Sequence, residues 1–270
     1  MKKVLVAGVA AVLVITLVAF GINPISEPHP DIQIALYTGT DSACSSRAGV
    51  AQSLDRYMDI HVRQVVQSDI VSGALRSCHA IIVTGSSTEE LCRSLGRDGC
   101  RALERFVSAG GGFIGIGGAA GIPSLGWNNR MKDLELIDAR FSSPGNNFER
   151  DSMIKCRALT RGGRSPVDFR IKYTTGPVFS PGADPYLQDY VCLAKYMDAE
   201  EAKDAIIASR FGRGRIILFS PHPELTEGLD ILFAQSIRWA AGQSEPQTMA
   251  MGPEFSWEGI FGVAPLTIAD

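Results

Sequence analysis

The stretch Arg105-Phe-Val-Ser-Ala-Gly-Gly-Gly-Phe-Ile-Gly-Ile116 decides how this chain folds. It closes one helix and opens one strand. Leu103, Phe106 and Val107 recur at i, i+3 and i+4, the apolar face of a helix over Cys100–Ala109. Gly110-Gly-Gly112 ends that helix, and Phe113 to Ile116 is a short apolar run of the buried-strand type. The same alternation extends outward on both sides. Upstream, Asp31–Tyr37 reads as a strand stopped by Thr38-Gly39-Thr40, Ser45–Tyr57 as a helix, and Asp59–Val66 as an alternating strand. His79–Val83 is another apolar run, followed by Thr84-Gly85-Ser86-Ser87. Downstream, Leu134–Phe141, Phe169–Tyr173 and Val191–Tyr196 read as strands among Gly- and Pro-rich loops. Ala205–Arg210 and Arg215–Phe219 form a hairpin around Phe211-Gly-Arg-Gly214. Leu229, Leu232, Phe233, Ile237 and Ala240 are the stripe of a last helix, which Gly242 ends. Apolar strands alternating with helices predict an α/β fold, a mostly parallel sheet covered on both faces.

Composition bounds the function classes. The chain has 270 residues, 45% of them hydrophobic and 20% charged, and a net charge of −3. Disorder along the whole chain is excluded. So is a nucleic-acid partner, because phosphate-backbone binding needs clustered excess Lys and Arg. No internal repeat is present.

The two ends read differently from the middle. Val4–Gly21 follows Lys2-Lys3 and contains no charged residue. As a helix its 18 residues would rise about 27 Å, near the thickness of a bilayer core. That predicts a membrane anchor over residues 1–21 with the remainder outside the cytoplasm. The alternative is a cleaved signal peptide ending near Ala19-Phe20-Gly21, leaving a secreted or periplasmic protein. Lys2-Lys3 and the all-round apolarity argue against a buried core helix. Residues 22–31 form a Pro-rich linker, 32–242 the folded domain, and 243–270 a loosely ordered tail. Within that tail Phe255-Ser-Trp-Glu-Gly-Ile-Phe261 is apolar enough to dock. Six cysteines in an exported chain suggest disulfides; the alternative is that some are small buried hydrophobes. Cys92 and Cys100, which bracket Arg93–Gly99, are the first pair to test. No Cys-x-x-Cys occurs, so a zinc site is not expected.

Two segments have the residue types for chemistry: Gly110 to Gly121, and Gly214-Arg-Ile-Ile-Leu-Phe-Ser-Pro-His-Pro-Glu224. Gly110, Gly112 and Gly115 have G-x-G-x-x-G spacing, but they precede their strand. Gly115, Gly117 and Ala120 follow a late strand, not an opening βαβ unit, and no Lys-Ser/Thr follows. A dinucleotide or other phosphate-bearing cofactor is therefore not expected. His222 has Glu224 two residues on, able to orient it.

Together these segments resemble the class I glutamine amidotransferase-like domains, and within them the N-terminal domain of eukaryotic biotin–protein ligases. Ile34-Ala-Leu-Tyr-Thr-Gly39 is similar to that group's first strand and turn. Ser68-Asp69-Ile70 with Gly73 resembles the stretch before its third strand, and Val83-Thr-Gly-Ser86 stands where a V-P-G-G turn is usual. Arg105–Ile116 resembles the run into the nucleophile elbow, Tyr173-Thr-Thr-Gly-Pro-Val-Phe179 the Y-x-G-G-x-F loop, and Gly214–Glu224 the last strand with its H-P-E end. The likeness spans Ile32 to Gly242. It implies a flavodoxin-like three-layer sandwich. No ligase domain follows in these residues, so biotin chemistry is not expected.

The resemblance also implies a site. Such domains break a C–N bond with a Cys–His–Glu constellation and two oxyanion-binding amides. His222 takes the place of the base and Glu224 of its orienter, with Gly85, Ser86 and Gly118 at the oxyanion turn. The cysteine position is Gly117, which has no side chain. The expectation is a catalytically inactive domain that binds a small ligand or peptide in the former cleft, lined by His222, Glu224, Gly85, Ser86, Gly117 and Gly118. One alternative is a hydrolase using His222 with water, Ser86 or Ser87. Another is a module that binds an exported protein through its apolar tail or cap loops. No cofactor and no metal are expected.

Overall fold

The structure, a computed structural model, describes residues 31–39, 44–125, 134–144, 148–160, 166–197, 203–242 and 257–261. The chain divides into Met1–Asp31 and Ile32–Asp270. The described elements all belong to the second unit, and Val4–Gly21 lies outside the described residues. Among the described residues no helix is long and apolar enough to cross a membrane.

The elements follow in the order β1 (Ile32–Tyr37), α1 (Cys44–Leu54), β2 (Ile60–Val65), α2 (Gln67–Val71), β3 (Ala80–Gly85), α3 (Thr88–Ser108) and β4 (Gly112–Gly117). After these come β5 (Ala139–Ser142), β6 (Ser152–Ala158), β7 (Val167–Tyr173), β8 (Val178–Pro181), β9 (Val191–Tyr196), β10 (Asp204–Phe211), β11 (Gly214–Phe219), α4 (Asp230–Ala241) and α5 (Trp257–Phe261). The sheet order is β2-β1-β3-β4-β11-β10-β9-β6-β7, with β8 joining β5 to β10. Neighbours from β2 to β11 pair parallel. From β11 to β7 they pair antiparallel. The parallel half has the flavodoxin order, with β11 as its fifth strand.

The period-two alternation within strands divides the core between two faces. Ile34, Leu36, Ile82, Ile114, Ile217 and Phe219 pack with Val50 and Leu54 of α1 and Phe233 and Ile237 of α4. Ala35, Tyr37, Ile81, Val83, Phe113 and Leu218 pack with Leu91, Leu95, Leu103 and Val107 of α3. Both faces of the central strands are thus buried, as their near-continuous apolar sequences require.

The structure adds strands β6 and β8, which the sequence reading leaves among the loops, and departs from that reading at further points. First, the helix expected from Cys100 starts at Thr88, capped by Ser87, whose hydroxyl accepts from the Glu90 amide at 3.3 Å. It runs through a kink at Gly96, where φ is 61°. Second, of the Leu134–Phe141 run only Ala139–Phe141 enters a strand, which continues to Ser142. Leu134, Leu136 and Ile137 are buried in a loop: the Leu136 and Ile137 amides both donate to the Pro123 carbonyl. Third, none of the six cysteines is in a disulfide. Cys92 and Cys100 share α3. They lie on opposite sides of the kink at Gly96, with Cys100 buried beside Leu103 and Val107 and Cys92 half-buried.

Helix α5 docks on the domain. Trp257, Ile260 and Phe261 are buried in the same cluster as α4, and the Trp257 ring lies 5.5 Å from that of Phe169 on β7.

Candidate functional site

The carboxyl ends of β3, β4 and β11 lie side by side, the place where open α/β sheets hold ligands. β4 ends at Gly117 with φ 64° and ψ −131°, a left-handed backbone that a side chain strains. A short 3₁₀ turn, Gly118–Gly121, follows. A Cβ built on Gly117 would stand 2.9 Å from His222 Nε2, His222 Cε1 and the Gly85 carbonyl. The imidazole therefore sits where a side chain at the elbow would begin. A Cβ on Gly118 would come within 2.6 Å of the Ser86–Ser87 peptide, so the turn after β3 closes directly on this backbone.

His222 follows β11 and is 1% exposed. Its Nδ1 lies 2.8 Å from Glu224 Oε1. Ser46 Oγ on α1 donates to that same oxygen at 2.5 Å, while Glu224 Oε2 is buried with no hydrogen-bond partner among the described residues. On the opposite side of the ring, Nε2 lies 2.6 Å from Thr174 Oγ1 and 3.2 Å from the Thr175 carbonyl. A carboxylate at Nδ1 holds the ring proton there, so in the neutral ring Nε2 accepts from the Thr174 hydroxyl. The backbone is fixed as firmly. The His222 amide donates to the Lys172 carbonyl at 2.8 Å. Thr226 Oγ1 donates to the His222 carbonyl at 2.7 Å and accepts from the Lys172 amide at 2.9 Å. β7 thereby carries Thr174 to the ring.

Above this buried group opens a cleft of about 410 Å³. Its walls include Ser86, Thr88, Gly118, Phe141, Arg150 and the run Tyr173–Pro177. Burial pushes the Tyr173 phenol up to about 12, so it stays protonated and donates to the Gly176 carbonyl at 3.0 Å. A larger hollow of about 1090 Å³ is lined by Cys78, His79 and Gly111, at the amino-terminal ends of β3 and β4, away from this chemistry. Among the described residues no cluster of metal-ligating side chains occurs.

The structure brings His222, Glu224 and Gly117 together, with Gly85 beside Gly117 in the β3–β4 register. It does not line the cleft with all of them. Ser86 and Gly118 stand in the wall, whereas Gly85, Gly117, His222 and Glu224 are buried and absent from it. Thr174–Thr175–Gly176 covers the ring instead. The hydroxyl hydrogen-bonded to His222 is that of Thr174, and Ser87 caps α3. Thr174, Thr175 and Ser46 were not singled out from sequence. The first two lie inside the Tyr173–Phe179 loop that was, but their pairing to a residue 48 and 47 positions away depends on the sheet.

No protein-family model matches this chain, and no curated protein sequence does. Solved structures do. A glutamine amidotransferase superposes with a TM-score of 0.55 at 18% identity, covering 77% of this chain and 98% of its own. A ThuA-like protein from Bacteroides uniformis gives 0.54 at 13% identity, covering 80% and 94%. Another from Parabacteroides merdae gives 0.51 at 14% identity, covering 83% and 94%. At such identities the likeness is one of fold: this chain has the class I glutamine amidotransferase-like fold, built on the flavodoxin strand order and shared with ThuA-like proteins.

Proposed function

We propose that this is an amidotransferase-like domain that performs no thiol-dependent amide chemistry and binds a small ligand in the cleft over His222. The observation that carries this reading is the elbow. Gly117 supplies no nucleophile, and the His222 ring stands 2.9 Å from where its Cβ would be. Removing the nucleophile from such a unit costs on the order of 10⁶ in turnover. The remaining cleft, about 410 Å³, is within the range of small-molecule sites. It mixes hydroxyls (Ser86, Thr88, Thr174, Thr175) with the rings of Phe141 and Tyr173. The likeness of the Tyr173–Phe179 loop and the H-P-E end to biotin–protein ligase N-terminal domains belongs to the same proposal. So does export through Val4–Gly21, which protease treatment of intact cells tests by releasing a fragment that begins after that stretch.

The test of the binding reading is a fragment panel of primary amides, simple esters, amino acids and monosaccharides, followed by ligand-detected NMR. Ser143, exposed on the rim, is changed to Trp to block the cleft. Binding to the parent that Ser143→Trp abolishes supports the reading. No binding, or binding indifferent to the substitution, overturns it. Hydrolysis of L-glutamine by the pure protein would overturn the loss of amide chemistry.

A further inference from the structure

We infer that Thr174 is the nucleophile of a hydroxyl-based acyl-transfer site that His222 and Glu224 serve, with small carboxylic esters as its substrate class. This rests on the reading of the cleft as a ligand site. Three observations carry it.

The hydrogen bonds form an unbroken relay from Glu224 Oε1 to His222 Nδ1 at 2.8 Å and from His222 Nε2 to Thr174 Oγ1 at 2.6 Å. Those are the roles of orienter, base and nucleophile, recognised by geometry rather than by position in the chain. The second observation is access. His222 is 1% exposed, whereas Thr174 is half-buried and lines the cleft, so a bound molecule meets the relay at Thr174. The third is the Thr175 carbonyl, 3.2 Å from Nε2. Against a neutral ring it has no proton to accept. Once Thr174 passes its proton to Nε2, the carbonyl accepts it and steadies the imidazolium. A ring needed only as packing would gain nothing from a buried carboxylate whose second oxygen has no partner among the described residues.

In the step, Thr174 Oγ1 bonds to the acyl carbon as its proton moves to His222 Nε2, and the carbonyl π pair moves onto oxygen. Ser86 and Gly118 supply the backbone on the same cleft wall against which that oxyanion develops. Collapse of the intermediate expels the alcohol, which takes the proton from Nε2 and leaves an ester on Thr174. Water, deprotonated by the same nitrogen, then releases the acid and restores the hydroxyl. Esters fit better than amides because a secondary hydroxyl, crowded by its own methyl, needs a good leaving group.

The experiment uses the whole chain and p-nitrophenyl acetate, with acid quench and peptide mass spectrometry to locate the acetyl group. Turnover with the acetyl on Thr174 is expected. Thr174→Val, nearly isosteric, and His222→Ala are each expected to slow it by at least ~100-fold, with Thr174→Ser retaining it. Unfolding curves for each variant separate loss of chemistry from loss of fold. Acetyl on Ser86 or Ser87, or equal rates in Thr174→Val and the parent, overturns the inference. No turnover with fragment binding still blocked by Ser143→Trp overturns it too, and leaves the binding reading standing.

Discussion

Substituting Gly117 by Cys introduces the side chain that the resemblance to glutamine amidotransferases implies at this elbow, and the structure sets what that change costs. The backbone at φ 64° is strained for any residue but glycine, by about 1–3 kcal/mol. The new Cβ would also stand 2.9 Å from the Gly85 carbonyl and the His222 ring. Overpacking of that kind costs about 1–3 kcal/mol more. For a domain of this size each kcal/mol lowers Tm by about 2–4 °C, so Gly117→Cys is expected to melt about 5–20 °C below the parent. The ring can yield only by moving off Thr174, because its other nitrogen and its backbone are held by Glu224 and Lys172. The introduced thiol then faces Nε2. With an imidazolium beside it the thiol pKa falls from about 8.5 to about 7, raising the thiolate fraction at neutral pH about tenfold. Read by thiolate ultraviolet absorbance, which does not depend on reagent access to this buried position, residue 117 should therefore ionise at lower pH than exposed Cys44, the reference within the same molecule. His222→Ala should remove the difference. A melting point equal to the parent's, or a thiol that ionises no lower than Cys44 and is indifferent to His222, would refute the geometry of the elbow.

Other features give independent expectations. Trp257→Ala should destabilise the domain to urea by about 3–5 kcal/mol, because the ring is 1% exposed and stacked near Phe169 and Phe261; a loss below about 1 kcal/mol would mean α5 is not docked. Asp168 is held down to about 2, from 3.8, mainly by its hydrogen bonds with Arg157. Its folded value is depressed, so its contribution is present above about pH 4 and lost as the pH falls through 2. At neutral pH Asp168→Asn should cost less than about 1 kcal/mol, as for a partly exposed pair, with the gap to the parent closing below pH 4. Denatured without reductant, the chain should show six reactive thiols; fewer would mean that disulfides form where the structure has none.

The parallel half of the sheet was legible because β1, β3, β4 and β11 are apolar runs bounded by glycines or turns, buried on both faces. What failed to show did so for identifiable reasons. In β6 the buried residues Ile154, Cys156 and Ala158 alternate with Met153, Lys155 and Arg157. That period-two signal was present but is weak when two of its three apolar members are small. The first half of α3 carried its own signal, Ser87 with Glu90 three residues on and Leu91 and Leu95 on one face, which Gly96 obscured. Leu134 to Ile137 misled in the other direction, since apolarity reports burial and a buried loop satisfies it as well as a strand. At the site, His222 and Glu224 are near in sequence and were readable as a pair. Thr174 was not, because only the antiparallel bridge between Lys172 and His222 brings β7 to the ring.

The strand order carries a consequence for how the protein is made. β4 borders β3 on one side and β11 on the other, yet about a hundred residues separate Gly117 from Gly214. A ribosome adding about 5–20 residues per second takes about 5–20 s to cover them. During that interval β4, every residue of which ends up buried, has one row of backbone donors and acceptors without its partner strand. An apolar, unpaired strand edge is a template for pairing with other chains. The centre of the sheet, completed only by one of the last strands to be synthesised, is therefore where a nascent chain of this protein is most exposed to misassembly, and where a chaperone would have most to cover.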